Sequence, residues 1–133
     1  EATTTDKHTT LTPVADGPAL LAMNALARQT PAASAVTQYA ATLVAASHPD
    51  SPLAPPGVKK YVRYGSSPRG AQAMLLGARA LALLGGRFNV AIDDLRALAP
   101  AALRHRLLLN FEGQAEGICT DDLVAELLEA VKA

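Results

Sequence analysis

The sequence predicts an all-α protein, a compact bundle of about six helices. Half of its 133 residues are hydrophobic, yet only 4% are aromatic and Trp is absent. Ala and Leu supply most of that apolar content, and both favour helices over strands. Apolar residues also recur every three or four positions between breaks marked by Pro and Gly, the spacing of one helix face. The length suits one domain with a real core.

Residues 1–12 are Thr-rich and polar, without periodicity, and read as a tail or linker. Asp16-Gly17-Pro18 is the first helix start, opening a helix to Gln29 with Leu20, Leu21, Met23, Ala25 and Leu26 as its apolar set. Thr30-Pro31 repeats that pairing of a capping residue with a first-position Pro. The helix it is expected to open carries Val36, Tyr39, Ala40, Leu43 and Val44 and ends near His48, because Pro49 disfavours helical geometry before it. Residues 49–57 hold four prolines and form a loop. A short helix from about Val58 to Tyr64 then brings Lys59, Lys60 and Arg63 to a turn at Gly65.

The longest apolar helix follows, from Pro68 to Leu84, with Ser67 as its expected N-cap and Gly85-Gly86 as its stop. Ala71, Met74, Leu75, Ala78, Leu81 and Ala82 make one face. Leu76, Leu83 and Leu84 widen it most of the way round, which predicts burial on several sides. Arg87 to Val90 reads as a short extended piece, Ile92 to Leu98 as a helix ended by Pro100, and Pro100 to about Leu107 as another. Asn110 to Gly117 reads as irregular. Thr120 is the expected cap of the last helix, with Asp121 and Asp122 in its first turn, where the helix dipole favours acids.

The formal net charge is zero, which argues against a dedicated nucleic-acid binder. That average hides a segregation. Lys59 to Arg106 contains nine Lys or Arg against Asp93 and Asp94, whereas Leu107 onward contains six acids against Lys132. Such an arrangement predicts one positive and one negative face. Cys119 is the only cysteine, so no internal disulfide can form, and a reducing cytosol is the simplest compartment. No apolar run approaches the roughly 20 residues of a bilayer span. The missing initial Met suggests a processed chain or a piece of a longer one.

Few residues offer chemistry. No Lys has the Gly before it and Ser or Thr after it that a phosphate-binding loop requires. Without such a loop, Asp93 and Asp94 read as first-turn acids rather than metal ligands. His8, His48 and His105 lie too far apart for a metal site, and no nucleophilic triad is spaced for catalysis. Arg104-His105-Arg106 is either a solvated basic step or a contact for an acidic neighbour. Arg69 stands apart. It falls at the second position of the helix opened by Gly65-Ser66-Ser67-Pro68, where the dipole disfavours a cation. It is either a solvated charge or a contact for an anion, phosphate first among them.

The run GSSPRG, the Ala/Leu-rich helix ending in GGRFNV, and IDDLRALAPAALRHRLLLNFE together resemble the C-terminal lid of MoxR-family AAA+ ATPases. The resemblance extends from about residue 18 to 130 and includes the Tyr39–Pro52 and Gly117–Glu129 stretches. It implies a linker at 1–17 from a preceding nucleotide-binding core and a helical lid at 18–133. It assigns Arg69 as the "sensor 2" residue, in both a catalytic and a cofactor-binding role, reaching the γ-phosphate of ATP held with Mg by that core. It further implies a cytoplasmic hexameric ring with chaperone-like activity, and von Willebrand factor A domain proteins among its partners. The lid alone is expected to hydrolyse nothing, having neither P-loop nor Walker B acid.

Two positions depart from the family pattern. Ser47-His48 stands where the family commonly has Thr-Arg, and Ala91 stands where a capping Ser or Thr is common. The lid of a related clade such as magnesium chelatase is a close variant of the same reading. The alternative from another class is a free-standing helical adaptor that binds an acidic protein or nucleic acid through its basic face.

Overall fold

The structure is a computed structural model and describes residues 12–132. Residues 1–11 of the tail expected over 1–12, with His8, lie outside the described residues. Among the described residues, seven helices and one small sheet follow in chain order: α1 Gly17–Gln29, α2 Ser34–Ala46, α3 Pro56–Tyr61, β1 Val62–Tyr64, α4 Pro68–Leu84, α5 Ile92–Leu103, β2 Leu108–Leu109, α6 Phe111–Ala115 and α7 Thr120–Ala130. The all-α expectation holds, and α4 spans the residues the sequence indicated.

α4 is the organising element, packed against α5 and α2 and, less closely, α1. Its fully buried stripe is Gly70, Met74, Ala78 and Ala82, a strict four-residue spacing of mostly small side chains. Small residues let the neighbouring helices come close: a Cβ on Gly77 would stand 2.9 Å from Cδ1 of Leu98 on α5. The expected burial on several sides is found in part, since α1, α2 and α5 all pack on α4. Leu75, Leu81 and Leu83 are half-buried, whereas Leu76 and Leu84 remain 45% and 86% exposed. The core itself is built on Leu43 and Val44 of α2, Met74 and Ala78 of α4, Leu95, Ala99 and Leu103 of α5, and Leu123, Val124 and Leu127 of α7.

Several boundaries differ from expectation, each for a local reason. Thr30 closes α1 rather than opening α2, which begins after Ala33 without a side-chain cap. The Pro31 carbonyl instead accepts from Val90 N–H at 3.1 Å, so this segment runs extended to meet the loop before α5. Pro100 does not divide its helix. The stripe Leu95, Ala99, Leu103 is buried straight across it, and that packing offsets the roughly 3 kcal/mol cost of an interior proline. Val62–Tyr64 is a strand, not the end of a helix, and pairs antiparallel with Leu108–Leu109. Asn110 then caps α6, accepting from Gly113 N–H at 2.8 Å, where an irregular stretch was expected. Thr120 is the first residue of α7 rather than its cap; Cys119 occupies the cap position without a side-chain bond.

The predicted separation into a basic and an acidic face also fails. The acidic tail folds back over the basic segment, placing Glu112 3.1 Å and Glu116 3.5 Å from Lys60 Nζ. Asp121 lies 3.0 Å from Arg104, and Glu129 lies 3.7 Å from Arg96. Charges segregated in sequence are thus interleaved in space.

Candidate functional site

The turn before α4 is built against the end of α2. Ser47 caps α2, and its hydroxyl donates to the Val44 carbonyl at 2.7 Å. The same oxygen accepts from the Ser66 backbone N–H at 2.9 Å, with both serines fully buried. Next in the chain, Nε2 of His48 lies 2.9 Å from the Ser66 carbonyl oxygen. A carbonyl can only accept, so His48 carries its proton on Nε2. Two consecutive residues just past the end of α2 therefore hold both backbone polar groups of Ser66.

The glycines of GSSPRG serve close approach. A Cβ on Gly65 would stand 2.5 Å from the Ser47 carbonyl oxygen, and one on Gly70 would stand 2.2 Å from Ser66 Oγ. Ser67 adopts the extended geometry of an N-cap, but its hydroxyl makes no capping bond. Its carbonyl does the work expected of the side chain, accepting from Gly70 N–H at 2.8 Å and from the Ser66 hydroxyl at 3.1 Å. The result is a stiff turn that delivers Arg69 to the second position of α4.

Arg69 is exposed and, among the described residues, has neither an ion-pair nor a hydrogen-bond partner. The structure brings Ser47, His48 and the turn together 18 residues apart in sequence, a contact that spacing alone does not show. The long-range pairing of α2 with the turn left one trace, the Gly at 65.

Several other cations are engaged, although Lys59 and Arg63 are, like Arg69, exposed without an acidic partner among the described residues. Lys60 Nζ donates to the Tyr61 hydroxyl at 2.9 Å, and that hydroxyl donates to Glu116 at 2.8 Å. The Tyr61 hydroxyl and then Glu112 raise the Lys60 pKa above the usual lysine value, while Tyr61 and then Lys60 hold Glu116 below the usual carboxylate range. Arg87 forks onto Asp94 at 2.8 and 2.6 Å, and this pairing is the main reason Asp94 is held below its ordinary value. Asp94 also accepts from the Ala91 N–H at 2.9 Å, so the helix start that lacks a capping side chain keeps half of a capping box. Arg104 is engaged by Asp121, while Arg106 donates to the Ala102 carbonyl at 2.7 Å and contacts His105. No group of three His, Cys, Asp or Glu side chains gathers among the described residues.

Arg69 thus projects from the turn before α4 of a helical domain, with no phosphate-binding loop in the sequence. The comparisons give the class. Residues 57–127 match the AAA lid domain, and the chain belongs to that family. It is 45% identical over 71 residues to the uncharacterized protein YeaC of Bacillus subtilis, covering 53% of this chain and 22% of YeaC. It is 33% identical over 97 residues to the chaperone MoxR1 of Mycobacterium tuberculosis, covering 73% of this chain and 26% of MoxR1. A crystal structure from Cytophaga hutchinsonii, provisionally assigned as an ATPase, matches with a TM-score of 0.77 at 28% identity, covering 81% of this chain and 33% of that one. The chain thus spans about a fifth to a third of these relatives' lengths and is a lid of the MoxR type.

Proposed function

We propose that Arg69 is the sensor 2 arginine of a MoxR-type AAA+ ATPase, in which this lid reads the state of a nucleotide held by a separate core. The observation that carries the reading is the turn that presents Arg69. Arg87, Arg96 and Arg104 are matched to acids, while Lys59, Arg63 and Arg69 are exposed without an acid among the described residues. Of these three only Arg69 opens a helix from a turn whose backbone is held by a distant segment. A guanidinium offers planar, bidentate donors that suit phosphate oxygens. The donor set fits one phosphoryl contact and not a whole nucleotide.

ATP bound with magnesium would supply the phosphoryl group for transfer. The lid's own part is to bring Arg69 to the terminal phosphate, where its charge stabilises the charge that develops during transfer. When that phosphate leaves, the attraction holding Arg69 is lost and the lid is released from the core. Its angle then transmits nucleotide state to neighbouring subunits of a hexameric ring and through them to client proteins. A cytoplasmic setting and partners with von Willebrand factor A domains belong to this proposal. The name of one relative, a chaperone, agrees with remodelling of other proteins.

The adaptor reading rested on a continuous basic face, which the acids beside Lys60, Arg96 and Arg104 interrupt, and the match to the AAA lid domain favours the lid. Arg69→Ala in the complete protein tests the assignment. We expect ATP turnover to fall about a hundredfold, in the range for loss of a transition-state charge contact, with unfolding of the lid unchanged. Undiminished turnover overturns the reading.

A further inference from the structure

We infer that Ser47 and His48 are positioning residues for Arg69, acting through the Ser66 backbone; the inference rests on the sensor reading of Arg69. An arginine one residue inside a helix can be aimed only as well as the turn before it is fixed. Within that turn the Ser66 hydroxyl holds the Ser67 carbonyl, but the Ser67 hydroxyl makes no capping bond and Pro68 has no N–H. What fixes it comes from the end of α2. Ser47 Oγ takes the Ser66 N–H at 2.9 Å, and His48 Nε2–H is given to the Ser66 carbonyl at 2.9 Å.

The two bonds differ in kind. The Ser47 bond is buried, and without it the Ser66 N–H would be stranded. It therefore serves folding and placement together. His48 is exposed and covers the Ser66 carbonyl from the solvent side, so removing the imidazole opens that carbonyl to water rather than stranding it in the core. Its bond restrains the peptide between Ser66 and Ser67, two peptides before Arg69. A shift of that peptide changes where the guanidinium arrives more than whether the lid folds. Misplacement of a charge contact by a fraction of its length lowers turnover without weakening ground-state binding.

The chemistry specifies which replacement rescues. The contact needs an N–H donor at the reach of Nε2, with no requirement for charge or for the ring. Gln carries an amide N–H at nearly that reach, and Ala does not. His48→Ala in the complete protein is expected to lower kcat about tenfold, the factor for one lost hydrogen bond of ordinary strength. KM for ATP stays within about twofold, because a placement effect appears in the transition state. Unfolding of the lid is unchanged. His48→Gln recovers most of the loss, and adding His48→Ala to Arg69→Ala causes no further loss, since both act on one contact.

Full turnover in His48→Ala overturns the inference, as does a double variant that is slower than Arg69→Ala by the whole His48→Ala factor. Should Arg69→Ala itself leave turnover intact, the sensor reading fails separately. Amide hydrogen exchange then decides the clamp: faster exchange at Ser66, Ser67 and Arg69 in His48→Ala, with α5 and α7 unaltered, upholds it, and unaltered exchange in the turn overturns it. Ser47→Ala provides the companion measurement, with the Ser66 amide expected to lose its protection first.

Discussion

The two ends of α4 each carry an arginine after a glycine-containing turn, and they use it differently. At the C-terminal end Gly86, with φ at +70°, closes the helix. Its N–H reaches the Leu83 carbonyl at 2.9 Å, and the Arg87 N–H reaches that of Ala82 at 2.8 Å. These are the paired bonds of a Schellman closure. The Arg87 side chain then forks onto Asp94, tying the end of α4 to the start of α5. At the N-terminal end the closure comes from another helix, through Ser47 and His48, and Arg69 stays uncommitted among the described residues. One end uses its arginine to hold the domain together. The other holds its arginine out.

That contrast makes Arg69→Ala and Asp94→Ala opposite experiments. The first removes about a hundredfold in turnover, a transition-state effect near 3 kcal/mol, while the midpoint of lid unfolding stays put. Turnover and thermal unfolding measured on the same variant separate the two ends. An Arg69 variant that unfolds early would show that the arginine is structural after all, and the two ends would be alike.

The glycines sharpen the comparison next. Gly65 is needed for space: a Cβ would meet the Ser47 carbonyl oxygen at 2.5 Å and its carbon at 2.6 Å, both backbone atoms of a buried turn. Gly65→Ala is expected to cost about 2–3 kcal/mol, at the upper end for overpacking, and to reduce turnover by displacing the turn. Gly86 is needed for its dihedral angle, with no atom within 4 Å of the position a Cβ would take. Gly86→Ala is expected to cost about 1 kcal/mol, the penalty for a left-handed residue with a side chain, and to spare turnover. Denaturant unfolding of both variants checks the order.

Much of this was legible in the sequence, and what was not has a common cause. α4 was bounded correctly because Ser67-Pro68 and Gly85-Gly86 are local signals on adjacent residues. Arg69 was singled out because its clash with the helix dipole is also local. The errors fall where a distant segment decides. Thr30-Pro31 has the chemistry of a helix start, but its backbone is taken by Val90. Pro100 has the chemistry of a helix end, but packing across Leu95, Ala99 and Leu103 carries the helix through. The strand at Val62–Tyr64 exists only because Leu108–Leu109 lies beside it. The acidic tail and the basic middle looked like two faces because their pairing runs between segments about 20 to 55 residues apart.

Asp94→Ala is expected to destabilise the domain by about 1–2 kcal/mol near neutral pH, from the lost helix-start bond to Ala91 and the lost fork to Arg87. Its pH dependence has a fixed sign. The Arg87 guanidinium lowers the Asp94 pKa in the folded protein, so the contribution is present above the unfolded carboxylate value of about 3.9. It is lost as pH falls through the lowered folded value. The stability gap between wild type and Asp94→Ala should therefore be full at pH 7 and narrow only below about pH 4. A gap already closing near pH 6 would mean that Asp94 is not held as a carboxylate by Arg87.

The smallest expected effect lies in α1, and its smallness is informative. α1 has the apolar spacing of a packed helix, yet none of its residues is buried, and Leu21 is 71% exposed. What fixes its position is polar and terminal. Asp16 accepts from Ala19 N–H at 2.8 Å at the start, and Arg79 of α4 donates to the Arg28 carbonyl at 3.1 Å near the end. Leu21→Ala should change the unfolding free energy of this chain by less than about 0.5 kcal/mol, as for an exposed position. Leu43→Ala on α2, fully buried, should cost about 3 kcal/mol or more. Both helices follow a helical apolar pattern, so the pattern alone does not separate them. A Leu21→Ala cost approaching that of Leu43→Ala would mean that α1 packs more tightly in solution than its exposure indicates, and that the grip of Arg79 on Arg28 is a minor part of how α1 is held.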